Sequence, residues 1–358
     1  MLDTPHTAWD GKEGITVLIC CYNGAARITE TIRHLAAQRV AAGVAWEVLL
    51  VDNASTDGVA AVAREAWQAA GAPTAFRVVA EPVPGKNNAV DRGFREARYG
   101  YVVLCDDDNW LNPAYLQTVW EIMRADPAIG LLGGPSEGAF EAGPPAWFGT
   151  FGRAYAVGPQ QPASGELPPH AFLWGAGLVV NRAAYDRLLA AGFRRIITHQ
   201  RYRRIARTED GEFCLALRCT GYKAWYDDRL RLRHYVSRDR LRWPYLLQLT
   251  REAGLASPIM DLYRGKGVQP AGRMKGALWL KSALKRGGRA PLLQYARRLW
   301  AGVPEGDRQG VSWLFEWYKL RGYLWLGGNY DRHYREVRAL KERLGNQTKR
   351  AKPSPVGE

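Results

Sequence analysis

Asp106, Asp107 and Asp108 follow directly on an apolar run, in the stretch VVLCDDDNW at 102–110. Carboxylates this close repel one another, and a hard divalent cation is what makes such a cluster stable. Mg²⁺ or Mn²⁺ takes oxygen ligands from one or two carboxylates plus substrate phosphates. In extended backbone Asp106 and Asp108 share a face and Asp107 takes the other, which gives a D-x-D pair. The alternative is a solvated turn or a helix N-cap ahead of Asn109-Trp110-Leu111. A second acidic pair, Glu209-Asp210, opens a predicted helix (TEDGEFCLALRCTG) behind a basic loop. Thr208 suits its N-cap, and acids suit its first turn whether or not they are functional. As chemistry, one of these two carboxylates is a candidate general base. His234, in RLRHYV, follows a predicted strand and reads either as a metal contact or as an ordinary core or surface histidine. Trp174-Gly175-Ala176-Gly177 lets backbone approach a substrate closely, or marks a β-bulge.

These residues need a frame. Apolar, β-branched runs at 15–20, 46–51, 75–80 and 101–105 read as strands. Helical patterns at 25–38, 56–69 and 86–98 separate them. That alternation predicts βαβ units, hence an α/β fold with a mostly parallel central sheet flanked by helices. A helix at 113–125, a short strand at 129–133, a Gly/Pro-rich loop at 134–170 and a glycine-interrupted strand at 171–180 follow. Then come a helix at 183–191, a basic loop at 192–208, a helix at 209–219 and a strand at 222–227. Open parallel sheets bind ligands beyond the carboxyl ends of their strands. There the sequence places Cys21-Tyr22-Asn23-Gly24, then Asp52 to Asp57, then Pro84-Gly85-Lys86-Asn87-Asn88, then the aspartates. Four polar ends in succession argue for a polar site of nucleotide size.

Composition sets the limits. The 358 residues are 47% hydrophobic, enough for a substantial core. Five cysteines with no CxxC pair indicate neither a disulfide framework nor a zinc site. The polar start (MLDTPHTAWDGKEG) does not read as a signal peptide and no apolar run reaches membrane length, so a cytoplasmic location is expected. Charge is uneven. Residues 231–358 hold 27 Lys/Arg against 10 Asp/Glu, and residues 1–230 hold 23 against 25. The basic part also carries six of the fourteen tryptophans. The expected organisation is a polar segment at 1–13, a catalytic domain at 14–236, a helical, basic, Trp-rich extension at 237–343 and a disordered tail at 344–358. Residues 273–326 have the composition of helices lying on an anionic membrane surface, at the inner face of the cell membrane. The same composition fits packing against the catalytic domain. A nucleic-acid-binding protein is a rival on charge, but no nucleic-acid motif is present and no such partner is expected. A phosphatase of the haloacid dehalogenase type also sets D-x-D after a strand, but wants Thr where Trp110 stands.

The motifs in sequence — CYNG at 21–24, VDNASTD at 51–57, the GK…A…G segment at 85–93, DDD at 106–108, WGAG at 174–177, ED at 209–210 and His234 — resemble glycosyltransferase family 2, inverting enzymes of the GT-A fold. The resemblance covers residues 14 to about 255. It implies a nucleotide-sugar donor, commonly UDP-linked, a divalent cation (Mn²⁺ or Mg²⁺) and a glycan or lipid-linked acceptor in polysaccharide or glycan biosynthesis. It implies that Tyr22, Asn23, Asp52, Lys86, Asp106 and Asp107 contact the donor nucleotide or diphosphate. Asp108, Asp106 and His234 would hold the metal, Trp174, Gly175 and Glu209 would border the sugar and acceptor, and Asp210 would be the base. Position 53 is Asn where many relatives carry a second acid. Processive members show Q-x-x-R-W and membrane spans. Here Asp239-Arg240-Leu241-Arg242-Trp243 stands instead, so transfer of one sugar per binding event is expected.

Overall fold

The computed structural model describes residues 9–267 and 302–350. Alternating strands and helices lead into the site: β1 (Ile15–Cys21), α1 (Ala25–Ala36), β2 (Trp46–Asp52), α2 (Val59–Ala69), β3 (Ala75–Ala80), α3 (Lys86–Glu96) and β4 (Tyr101–Cys105), then β5 (Asn109–Leu111) and α4 (Tyr115–Ala125). There follow β6 (Ile129–Gly133), β7 (Ser136–Phe140), α5 (Phe148–Phe151), β8 (Gly165–Glu166), β9 (Val179–Asn181), α6 (Arg182–Ala190), α7 (His199–Tyr202) and α8 (Glu209–Arg218). Then come β10 (Lys223–Tyr226), β11 (Leu232–Val236), α9 (Trp243–Tyr263), α10 (Arg308–Leu326) and α11 (Gly328–Arg350).

The main sheet has eight strands in the order β3-β2-β1-β4-β9-β6-β10-β8. β3, β2, β1 and β4 are mutually parallel, β10 runs parallel to β6, and β9 is antiparallel to both neighbours. Each central strand is buried on both faces, as helix-covered parallel strands must be. From β1, Val17 and Ile19 enter the core beneath α1, α2 and α4, while Leu18 enters the opposite core with α3, α6, α8 and α9. A three-stranded sheet, β5-β11-β7, sits beyond the end of β4. It fixes His234 opposite Asn109, directly beside the aspartates.

Three expectations change. Residues 171–180 are strand only from Val179, because the preceding N–H groups bond elsewhere: Trp174 N–H to Gln160 Oε1 (2.8 Å) and Leu173 N–H to Cys214 Sγ (3.3 Å). The basic loop at 192–208 contains α7 and a 3₁₀ turn, Arg203–Thr208, pinned by the buried Tyr202 and Ile205. His234 lies within β11 rather than after a strand.

The extension is built into the domain where it is described. α9 packs on α8, and α10 and α11 pack on α9. Leu326, Tyr330, Val337, Leu340 and Leu344 belong to the same core as the sheet residue Leu18. Most of the stretch 273–326 that carries the expected membrane surface, residues 273–301, lies outside the described residues. Of the tail expected to be disordered at 344–358, residues 344–350 continue α11 instead, and 351–358 lie outside the described residues.

Candidate active site

After β4 the chain turns sharply and re-enters extended backbone at β5, so no helix begins here and the three aspartates do not cap one. The Asp106 carbonyl accepts the Asn109 N–H (3.1 Å), and the Asn109 side-chain oxygen accepts the Asp106 N–H (3.2 Å). This turn, not a pleat, sends the carboxylates three ways, each to its own cation. Asp106 meets Lys86 Nζ at 3.0 Å, Asp107 meets Arg27 at 2.6 Å, and Asp108 meets Arg240 at 3.1 Å.

The environments separate their acidities. Burial pushes the Asp108 carboxyl up, but the hydrogen bond and charge of His234, then Arg240, outweigh it and hold the group at about 2. Burial followed by the Asp108 charge lifts Asp107 to about 6, against the pull of Arg27. Asp106 is also raised, by burial that Lys86 only partly offsets and by the nearby charges of Asp210 and Asp108. Lys86 can help it only in part because the same ammonium sits 3.0 Å from Asp210. Burial works against the Lys86 charge, yet two carboxylates together hold its pKa well above the usual lysine value.

His234 Nδ1 lies 2.9 Å from the Tyr155 carbonyl, and Nε2 lies 3.5 Å from Asp108. A carbonyl only accepts, so Nδ1 carries a proton. With Nδ1 engaged by the carbonyl, Nε2 is the nitrogen that faces Asp108, and it is the one a metal would take in place of a proton shared with that carboxylate. Among the described residues no group of three or more His, Cys, Asp or Glu side chains is arranged to hold a metal alone. The Asp108–His234 pair suits a cation whose remaining ligands are phosphate oxygens and water.

The base candidate comes from the first turn of α8. Thr208 does not cap this helix; its hydroxyl donates to the Ile205 carbonyl at 2.7 Å. Asp210 faces the cavity and packs so closely on Gly175 that a Cβ there would overlap its carboxylate. Gly175 is thus the residue that lets the WGAG turn touch Asp210. Gln160, itself buried, positions that turn by accepting the Trp174 N–H and donating to the Gly134 carbonyl at 2.8 Å. The Arg153 guanidinium lies over the Trp174 ring, 5.6 Å from its centroid. Glu209 is only 6% exposed, and its Oε2 is buried without a hydrogen-bond partner. Burial first, then the Asp210 charge, pushes its carboxyl up to about 8.

The βα loops are tied to one another by side chains. Asn23 Oδ1 accepts the Thr56 N–H at 2.8 Å, linking the first loop to the second. Asp52 Oδ1 accepts the Ser55 N–H at 3.1 Å within the second loop. Asn53 joins the second loop to the third: its NH₂ donates to the Val83 carbonyl (2.7 Å) and its oxygen accepts the Gly85 N–H (2.8 Å). A carboxylate at 53 could not donate, which gives the departure from the family's acid a structural reason. Asn23 and Ala54 hold φ of 49° and 59° directly behind β1 and β2, sparsely populated backbone of the kind that clusters at functional sites.

These groups share one cavity of about 1000 Å³. Tyr22, Lys86, Asp106, Asp107, Asp108, Trp174, Gly175, Glu209, Asp210 and His234 all line it. Asn23 and Asp52 do not; they shape the loops beside it, and Asn53 lines it instead. Sequence reasoning missed Arg27, Tyr155, Gln160 and Arg240. Each lies in a helix face, a loop or a basic stretch where its type is ordinary, and only contact with the site distinguishes it.

Fold and site together define an α/β protein that gathers carboxylates, a lysine and a histidine at the carboxyl end of a parallel sheet, where nucleotides bind. Residues 16–189 match the family model described as Glycosyl transferase family 2. A poly-beta-1,6-N-acetyl-D-glucosamine synthase of Staphylococcus aureus is 26% identical over 130 residues, 36% of this chain and 30% of the relative. The match therefore takes in less than a third of the length of that curated relative. A mannosyltransferase from Pyrobaculum calidifontis, solved in complex with GDP-Man and Mn²⁺, is 19% identical with a TM-score of 0.51, covering 97% of this chain and 92% of its own. It shares the fold, a GT-A architecture. S. aureus TarS, solved with UDP-GlcNAc, is 14% identical with a TM-score of 0.48, covering 90% of this chain and 92% of its own.

Proposed function

We propose that this chain transfers one sugar per binding event from a nucleoside diphosphate sugar, UDP-linked in the first instance, to an acceptor hydroxyl, with inversion, in polysaccharide or glycan assembly. The convergence of Asp106, Asp108 and His234 with Asp210 in one cavity, bridged by Lys86, is the observation that carries this reading. Asp108 and His234, with Asp106 beside them, would hold a divalent cation, which supplies Lewis-acid stabilisation of charge on the leaving diphosphate. Arg240 and Lys86 stand where they can add positive charge to that diphosphate. Asp210 accepts the acceptor's hydroxyl proton as its oxygen attacks the anomeric carbon from the face opposite the leaving group. Tyr22, 59% exposed at the cavity rim, is free to pack on the base. Neutral Glu209 can donate its O–H to a sugar oxygen beside the base.

The test is nucleotide binding. UDP or GDP should raise the melting temperature in Mn²⁺ and not in chelator, and Asp108→Asn should remove that effect while leaving the ligand-free melting temperature in place. Equal stabilisation in chelator overturns the metal assignment. Attachment to an anionic membrane surface at the inner face of the cell membrane through 273–326 belongs to the same proposal. It is supported by Leu324 and Trp325, neighbours on α10 that are 65% and 40% exposed. Among the described residues no helix is long and apolar enough to cross a membrane. Sedimentation with anionic vesicles at low salt checks the attachment; protein left wholly in the supernatant removes it.

A further inference from the structure

The cavity changes character beyond Asp210. Gly211 is next in the chain, and a Cβ there would lie 3.3 Å from Met260 Cε and 3.5 Å from the Phe172 ring. From Met260 the wall continues along α9, where Tyr245, Leu249, Ala253, Ala256 and Met260 all line the cavity. Their spacing of three or four residues places them on one face of the helix. Phe315, from α10, adds to the same wall. The wall is polar at its ends, with the Tyr245 hydroxyl at one and Arg264 over the Phe172 ring at the other, and Ser257 is its one hydroxyl between them. Leu249, Ala253, Ala256, Met260 and Phe315 offer no hydrogen bond, and the two alanines leave room.

A sugar ring does not suit such a wall. Along its apolar middle most of the ring's hydroxyls would lose water without gaining partners, which is unfavourable for every group left unpaired. Alkyl or aryl carbon gains from the same burial in proportion to the area removed from water. Because the apolar wall begins one residue from the base, a hydroxyl placed at Asp210 directs the rest of its molecule along it.

We infer that the acceptor is an amphiphilic glycoside whose apolar aglycone, alkyl or aryl, lies along the Phe172–α9 wall while its sugar hydroxyl meets Asp210. The inference rests on the transferase reading and names the acceptor class for it. Position on the wall, not turnover, is what the test must read, so the probes are octyl β-D-glucoside below its micelle concentration, 4-nitrophenyl β-D-glucoside and free glucose. Calorimetric binding to the full chain, with and without UDP and Mn²⁺, should favour at least one glycoside over glucose by roughly 10-fold or more, the order expected when several methylenes are buried. Octyl preferred over nitrophenyl identifies an alkyl or lipid aglycone; the reverse identifies an aryl one. Ala253→Glu, on a partly exposed helical position, and Phe172→Gln, at a residue 36% exposed, should each abolish the preference with little change in melting temperature. Glycosides that bind no better than glucose overturn the inference, as does a preference that survives both substitutions. Failure of the transferase reading is separable, since it would show as absent nucleotide binding whatever the glycosides do.

Discussion

Two glutamates one helical turn apart on α8 have opposite surroundings. Glu212, in the core-facing turn, is 1% exposed, and both its oxygens are occupied. Oε1 accepts the Ile196 N–H and the Tyr263 hydroxyl at 2.8 Å, and Oε2 accepts the Ile197 N–H at 2.7 Å. Glu209, in the cavity-facing turn, is nearly as buried yet keeps Oε2 without a partner. Burial raises the pKa of both, and at Glu212 hydrogen bonds offset it in part. The fully bonded carboxylate holds the 196–197 loop and α9 to α8. The unpartnered one is held ready beside Asp210. A buried polar group with its bonds made is structure, whereas one without them marks a place for a ligand.

The largest expected effect tests the cavity side. Asp210→Asn removes a base while keeping shape, so transfer should fall by ~10²–10⁴-fold, the range positioned bases supply. Nucleotide binding should persist. Steady-state rates decide it: near wild-type turnover would make Asp210 a bystander, and an inactive Glu209→Gln alongside it would exchange the two roles. Next comes the core side. Glu212→Ala strands two backbone donors and the Tyr263 hydroxyl, each costing about 1–3 kcal/mol when left buried and unpaired. Urea unfolding should show a loss of roughly 3 kcal/mol or more, with Glu212→Gln milder because one acceptor oxygen remains. A loss within ~0.5 kcal/mol, ordinary for a surface change, would erase the contrast between the turns.

A third effect is a pH dependence. Glu209 titrates at about 8 in the folded chain against an ordinary value of 4.5. Between those values the unfolded chain has released the proton and the folded one has not. Its contribution to stability is therefore full below 4.5 and is lost as pH rises through about 8. Glu209→Gln should cancel that part of the slope, so the melting-temperature difference between wild type and variant should change across this window and level off above it. A difference flat with pH would show Glu209 ionised throughout.

Much of the frame was legible in order. The runs at 15–20, 46–51, 75–80 and 101–105 are strands because a parallel strand buried on both faces must be continuously apolar, and α1 to α4, α6 and α8 were each expected close to where they stand, whereas α7 was read as loop. The strands β5, β7 and β11 were not legible. They are short, and their pairing joins residues far apart in the chain, such as His234 with Asn109 and Leu232 with Ser136. The long loop of 134–170 hid β7 and Gln160 for the same reason.

By itself the sequence determined which chemical groups would collect beyond the sheet, because the parallel topology of β1 to β4 carries their carboxyl ends to one edge and the polar residues follow those ends. It could not assign their partners. That Asp107 would turn to Arg27, Asp108 to His234 and Arg240, and Asp106 to share Lys86 with Asp210 was decided by a tight turn and by segments up to 132 residues distant. Local preference sets strands and helices, whereas charge pairing and burial depend on distance in space, which only the folded chain defines.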